Sequence, residues 1–405
     1  MDYNPLPFIT TKRLAVKLKP AAEKMVKKRH PWVFEDSILK QNLEGTAGDL
    51  VVIFDNAKNN FLACGLYDPY SPIRIKLIQF KKAAQINEIW FKEKIFQAYE
   101  LRKPLLLTDT NSYRLLFGEN DHLPGLIADV YDNVLVIKLY SHIWFPYFNW
   151  ILKHLIAITG VTTVVLRLSR LLQTKGDVYG LKDGQIVYGV LEDEVVVFRE
   201  HGVLFSANVI KGHKTGYFLD HRHNRKKVGE LASGKTVLDV FSYAGGFSVH
   251  ALTGGAREVV SLDISKHALD MAKSNAALNS HKGTHEVLVA DAFKGLQSLI
   301  DAQKLFDIVV IDPPSFAKRE SEIEKAKNSY ARLSKLGAQL VAQNGILVLA
   351  SCSSRVLADE FFSISEKNIM IAGRTFEVMQ KTAHDIDHPI GFKEGAYLKC
   401  GYYQL

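Results

Sequence analysis

Among 405 residues there are three cysteines, and Cys352 stands where the apolar run NGILVLASCSSR (344–355) gives way to small polar residues. A cysteine that only packs would suit the middle of such a run. At its end, on the rim of a sheet, a thiol is placed to act as a nucleophile, which requires the thiolate. A second apolar run, DIVVIDPPSFAK (307–318), ends in Asp312-Pro313-Pro314. Two prolines make that turn stiff, so a carboxylate and its neighbouring carbonyls are held rigidly. A third stretch, LDVFSYAGGFS (238–248), reads as strand, glycine turn and helix, where a ligand can approach the backbone closely.

That turn is neither GxGxxG nor a P-loop, since it lacks the Lys and Ser/Thr of the latter. Asp263 closes the next strand 24 residues after Asp239 and is placed to accept hydrogen bonds from both ribose hydroxyls. Asp291-Ala292-Phe293 ends the strand after that and suits the edge and face of an adenine ring. A dinucleotide would require a pyrophosphate fingerprint. A nucleoside without phosphates fits better, and S-adenosylmethionine (SAM) answers that description, with Asp312 beside its transferable methyl.

Positioning these residues takes a sheet whose strands end on one rim. From about residue 235, KTVLDVF, VVSLDI, EVLVADA, DIVVIDP and ILVLASC alternate with helical stretches such as SKHALDMAKSNAALN and SYARLSKLGAQLV. Such alternation implies a parallel sheet wound on both faces, binding its ligand at the carboxyl ends of the strands. RTFEVMQKT and AYLKCGYYQL then form an antiparallel edge. A helix just beyond Cys352 is expected to be capped by Ser353 or Ser354, with Leu357, Phe361 and Ile364 on one face. Its N-terminus and Arg355 would both favour a thiolate. The first 80 residues read instead as short strands, LAVKLKP, WVFEDSI, DLVVIFD, FLACGLYD and IRIKLIQF, with one helix, AAEKMVKK: a small barrel. Between lie a helix over 85–103 with Phe91, Ile95, Ala98 and Tyr99 at helical spacing, a hairpin turning at Asp132-Asn133, and a helix near 146–158.

Composition sets bounds around this. Apolar residues make up 47% and charged residues 23%, as in globular proteins. No apolar run approaches the roughly 18 residues that cross a bilayer, and the start, MDYNPLPFITTKR, lacks the pattern of a signal peptide, so a cytoplasmic protein is expected. Cys64, Cys352 and Cys400 have no close spacing, which argues against disulfides and against a zinc site. The net charge of +8 is concentrated: residues 1–30 hold eight Lys/Arg against two acids, and residues 211–227 six against one. Concentrated cations gather phosphates.

These motifs in this order resemble the RlmI-type ribosomal RNA large-subunit methyltransferases over nearly the whole chain. RHPWVFEDSI, GENDHLPGLIADVY, GHKTGYFLDHRHNR, LDVFSYAGGFS, DPPSF, LASCSS and DHPIGFKEGAYLK all take part. The resemblance implies an N-terminal PUA barrel (1–80), a central α+β domain (81–200) and a Rossmann-like class I methyltransferase domain (201–405). It implies 5-methylcytosine formation in 23S ribosomal RNA, and it suggests a homodimer. It also implies SAM contacts from Asp220 and Arg222, from Asp239, Phe241, Ser242, Tyr243 and Gly245, from Asp263 with Ile264 and Ser265, from Asp291 with Ala292, and from Asp312.

Cytosine C5 is a poor nucleophile towards a sulfonium methyl. A thiolate adding at C6 turns the ring into an enamine whose C5 can attack, and Cys352 is the expected thiolate. Asp312 would accept hydrogen bonds from the cytosine amino group or a protonated N3. The base that removes the C5 proton stays open among His384, Asp385, Asp387 and His388. Phe316 could stack on the extruded base or simply cover the sheet. Cys64 and Cys400, inside strands, are expected to pack. Two other readings remain: an N-methyltransferase acting on a purine amino group, which needs no thiol, and a non-catalytic RNA-binding or assembly factor.

Overall fold

The structure, a computed structural model, describes residues 6–405; the first five residues of the chain start lie outside the described residues. It forms two compact units. The first holds everything described up to Arg199, together with Ser206–Leu219 and Ile386–Gly395.

Residues 13–80 of this unit build a six-stranded sheet: the five strands expected for the barrel are present, WVFEDSI only as Trp32–Val33, and Ile38–Gln41 adds a sixth that was not expected. Strand Arg13–Leu18 alternates outward and inward residues, so Leu14, Val16 and Leu18 face a small core with Val51, Ile53, Ala63, Ile75 and Leu77. Cys64 is buried in strand Phe61–Tyr67, and burial pushes its thiol up to about 12, as suits a packing cysteine. A second, five-stranded sheet contains the expected hairpin, Leu126–Tyr131 paired with Val134–Leu139, and Asp132 takes the turn at φ 54°. The expected helices are Glu88–Arg102, capped by the Asn87 side chain, and Phe148–Thr159. Phe91, Ile95 and Ala98 are buried as their spacing required.

The second unit comprises Glu200–Phe205, Asp220–Asp385 and Ala396–Leu405. Its strands are β1 (Thr236–Val240), β2 (Glu258–Asp263), β3 (Thr284–Val289), β4 (Phe306–Ile311), β5 (Val341–Ser351), β6 (Glu377–Thr382) and β7 (Lys399–Gln404). They lie in the order β3-β2-β1-β4-β5-β7-β6, with β7 antiparallel to both neighbours and the other pairs parallel. All five residues of β1 are buried, the run expected of a strand covered on both faces. The helices are α1 (Arg222–Leu231), α2 (Gly246–Thr253), α3 (Lys266–Ala277), α4 (Ala292–Asp301), α5 (Ile323–Leu340) and α6 (Ala358–Ile371). Strand order reverses between β1 and β4, and in such sheets the ligand crevice opens beyond the carboxyl ends of those two strands. No described helix is long and apolar enough to cross a membrane.

Candidate active site

The loop leaving β1 is bent back over the end of β2. Phe241 N and Ser242 N both donate to the Leu262 carbonyl, at 2.9 and 3.1 Å, and Tyr243 N donates to Asp263 Oδ2 at 3.0 Å. To make this bend, Phe241 and Tyr243 adopt φ of 63° and 48°, a left-handed backbone that side chains ordinarily avoid. Gly245, at φ 76°, opens α2; a Cβ there would stand 2.8 Å from the Ala272 Cβ on α3. Asp263 Oδ1 accepts from Ser265 N, so its two oxygens fix the backbone on either side and each keeps a further lone pair. Ser265 caps α3 and Asp291 caps α4, whose first residue, Ala292, is buried.

Asp239 is buried behind the loop, where its Oδ2 accepts from Ser248 N and Ser248 Oγ. Burial raises its carboxyl to about 7. Its Oδ1 and the Ser242 hydroxyl are buried polar atoms without a hydrogen-bond partner among the described residues. Ile264, beside Asp263, is 72% exposed. Unused polar capacity, a carboxylate at the end of β2 and an uncovered apolar side chain together fit a nucleoside.

Asp312 joins this loop directly, its N–H donating to the Val240 carbonyl at 3.3 Å. His221, 4% exposed, places Nε2 3.3 Å from Asp312 Oδ1. The Asn224 oxygen accepts from the Thr382 hydroxyl, so its amide nitrogen faces His221 Nδ1 at 3.1 Å. Nε2 therefore carries a proton towards Asp312 whether the ring is neutral or charged. Burial works against a charged imidazole, and the Asp312 carboxylate outweighs it, leaving the ring more basic than usual.

Because β4 and β5 run parallel with Ile311 opposite Leu349, both end on the same rim. Cys352 follows β5 directly, half-buried, and its thiol donates to the Pro313 carbonyl at 3.6 Å. The structure thus brings together Cys352, the Asp312 turn and the 239–245 loop. It does not put a helix N-terminus behind the thiol: α6 begins only at Ala358, with Leu357 as its cap residue, and neither Ser353 nor Ser354 caps it. Ser353 is instead buried in a connecting loop, its carbonyl bonded by the Lys399 ammonium. Leu357, expected on the buried face, is 49% exposed, while Phe361 is buried. Arg355 is exposed, with Nε donating to the Lys318 carbonyl. Cys400 is fully buried in β7 and its thiol is pushed far up by that burial.

The remaining expected residues separate. Asp220 accepts from the Tyr397 hydroxyl at 2.9 Å. Arg222 is fully buried, its guanidinium 3.4 Å from Asp385 and 4.0 Å from Glu200, which makes it an internal support of α1. Arg225, from the same basic stretch, is likewise enclosed by Glu200, and Lys226 and Lys227 lie within 4.0 Å of Glu230. Two of the six cations counted in residues 211–227, Arg222 and Arg225, are therefore paired inside the fold. In residues 12–29, by contrast, Lys12, Arg13, Lys19, Lys24, Lys28 and Arg29 are exposed. His384 Nε2 accepts from Leu398 N. Asp387 and His388 are buried in the first unit, bonded to each other, with Asp387 Oδ2 accepting from Arg114 N. Phe316 packs on Tyr330, ring centroids 5.3 Å apart, against the sheet's core.

Two residues absent from the sequence reading stand at this rim, His221 and Lys399. A visible signal existed for the second: a lysine between Leu398 and Cys400 in a mostly apolar stretch.

Residues 184–372 match the family of S-adenosylmethionine-dependent methyltransferases, and residues 16–80 match the PUA-like domain family. The chain is 42% identical to a ribosomal RNA large subunit methyltransferase of Deinococcus radiodurans, over 98% of this chain and 99% of that protein. It is 34% identical to ribosomal RNA large subunit methyltransferase I of Alteromonas mediterranea, over 94% and 96%. A putative SAM-dependent methyltransferase from Streptococcus mutans superposes with a TM-score of 0.80 at 22% identity, covering 96% of this chain and all of that one. A putative methyltransferase solved with S-adenosylhomocysteine (SAH) gives the same TM-score over 98% and 100%.

Proposed function

The chain belongs to the SAM-dependent ribosomal RNA large-subunit methyltransferases with a PUA-like domain, and from that premise we propose that it forms 5-methylcytosine in 23S ribosomal RNA. The observation that carries the base and the mechanism is the Cys352 thiol 3.6 Å from the Pro313 carbonyl, on the rim that Asp312 shares.

SAM, when bound, supplies a methyl group carried on a sulfonium. Asp239, Phe241, Ser242, Tyr243, Gly245, Asp263, Ile264, Ser265, Asp291 and Ala292 are the residues proposed to hold it, with Asp220 and Asp312 at the edge. The target cytosine must leave its stack to reach this rim. Cys352, as thiolate, adds to C6, so a sulfur–carbon bond forms and the displaced electron pair makes C5 nucleophilic. Asp312 accepts from the cytosine amino group or a protonated N3, and by favouring the protonated ring it opens C6 to the thiolate; the N3 proton is given back when the ring is restored. Once C5 has taken the methyl group, loss of the C5 proton restores the ring double bond and expels the Cys352 sulfur. The sum is one methyl gained and one proton released. The exposed cations of residues 12–29 supply phosphate contacts that hold the surrounding RNA without reading its sequence.

The test is Cys352→Ala. Methyl incorporation into ribosomal RNA from a strain lacking this protein should vanish, while SAM affinity by calorimetric titration stays within about twofold, the sulfur being no cofactor contact. Ordinary incorporation by that variant would instead favour transfer to an exocyclic amino group, which needs no thiol.

A further inference from the structure

Lys399 is 3% exposed and sits in β7 directly across from Ser351, the residue before Cys352. Its ammonium donates to two backbone carbonyls of the loop that follows Cys352, that of Ser353 and that of Val356, the latter at 2.6 Å. Ser353 and Val356 are themselves buried. One side chain therefore spans the loop and fixes the backbone that carries the thiol. Among the described residues no carboxylate lies within 4.0 Å of this ammonium. A buried charge without a counter-ion is costly, and interiors rarely keep one without a reason. Burial draws the amine down to about 8, and the group whose negative charge acts against that is Cys352. At neutral pH the amine is still mostly protonated.

We propose that Lys399 is a positioning residue for the nucleophile: it holds the 352–357 loop by two carbonyls and presents its ammonium as the counter-charge for the Cys352 thiolate. This deepens, and rests on, the reading of Cys352 as the nucleophile. The thiol proton, on ionisation, goes to solvent, and the pair becomes ammonium and thiolate. It also accounts for how the thiol is activated where no helix N-terminus stands behind it.

The other groups around this rim divide by sign. Tyr330, on α5, accepts from the Ser351 hydroxyl, and burial pushes its phenol up to about 12, so it stays neutral. Asp312, at the end of β4, carries negative charge and opposes a thiolate, with His221 beside it as partial compensation. Arg355, on the loop itself, is exposed and screened by solvent. Of the cations among the described residues, Lys399 alone is both buried and bonded to the loop.

The experiment follows alkylation of Cys352 by iodoacetamide against pH in the full chain, read by peptide mass mapping, which separates it from the buried Cys64 and Cys400. In Lys399→Met the rate at pH 7 should fall at least tenfold and the rise with pH should shift to alkaline values, while Lys399→Arg should stay within about threefold of the parent. SAM affinity serves as the folding control. An unchanged profile in a Lys399→Met protein that still binds SAM overturns the proposal. If that variant loses SAM binding, the parent profile decides: half-maximal alkylation at or above the pH found for an unstructured cysteine peptide also overturns it. Failure of the underlying reading looks different, because then Cys352→Ala methylates normally whatever the alkylation profile shows.

Discussion

The Cys352 sulfur reaches the Pro313 carbonyl because β4 and β5 are parallel neighbours and each continues past the sheet by only a residue or two. In the proposed mechanism one cytosine meets both this thiol and Asp312. Ribosomal RNA carrying 5-fluorocytosine at the target should therefore stall on the enzyme, because fluorine cannot leave C5 as a proton does. The expected result is a covalent protein–RNA species of the summed mass, dependent on SAM and absent from Cys352→Ala. Formation of that species by Cys352→Ala would contradict the assignment.

Asp312→Asn should lower methyl transfer by roughly 10²–10³-fold, since an amide oxygen accepts more weakly than a carboxylate from the cytosine amino group or a protonated N3. His221 Nε2 would face the new side chain with nothing anionic to bond. Single-turnover rates with saturating SAM check this, and a loss below about threefold would remove Asp312 from the chemistry.

The buried Asp239 makes stability depend on pH with an unusual sign. Its folded value of about 7 exceeds that of an unfolded aspartate, about 3.9, so the folded protein holds the extra proton between those values. Stability should then fall as pH rises from about 4 to 7, by an amount of order 4 kcal/mol, and level off above. In Asp239→Asn this component should disappear, because the amide oxygen still accepts from Ser248 and nothing titrates. Urea midpoints of parent and variant across that interval provide the measurement.

Gly245→Val combines a disfavoured φ of 76° with a Cβ 2.8 Å from the Ala272 Cβ and 3.1 Å from its Cα. A cost of about 1–3 kcal/mol is expected, together with at least a tenfold loss of SAM affinity, as α2 is pushed off α3. Thermal unfolding and calorimetric titration would show both, and an unchanged affinity would separate this turn from the cofactor.

Glu200 is wholly buried, with Arg225 bonding both its oxygens at 2.7 and 2.6 Å and His250 at 3.0 Å. Burial pushes its carboxyl up, but Arg225 and His250 outweigh this and hold it well below the usual carboxylate range. The pairing therefore stabilises the fold above about pH 4.3, the unfolded value, and is lost only as pH falls through the much lower folded one. Arg225→Met should cost about 3–5 kcal/mol by stranding the carboxylate, and acid unfolding should begin at higher pH. Circular dichroism during acid titration follows it.

Much of the second unit was legible because parallel strands announce themselves as short apolar runs that end in polar residues. Asp239, Asp263, Asp291, Asp312 and Cys352 were each found at or just past a strand end. The place of Cys352 on the rim was readable, whereas what surrounds it was not. Lys399 arrives from β7, and its contact with the loop depends on the register Ser351 opposite Lys399, which no local pattern reports. The helix start at Ala358 was misplaced for a related reason: serines make good caps, but here a distant ammonium binds the Ser353 carbonyl and a loop results. Arg222 and Arg225 were counted in a basic stretch suited to phosphates, and Arg222 among the SAM contacts, because composition cannot see Glu200, two dozen residues earlier, turned inward to meet them.

The connection from β6 to β7 departs into the first unit, where Arg114 N donates to Asp387 and the Arg102 guanidinium to its carbonyl, before the chain returns to place Lys399. No single cut in the polypeptide can liberate either half intact. A fragment beginning near residue 200 would retain Ile386–Gly395 without the arginines that receive it. Recombination between relatives, and laboratory dissection alike, must therefore carry both halves across together.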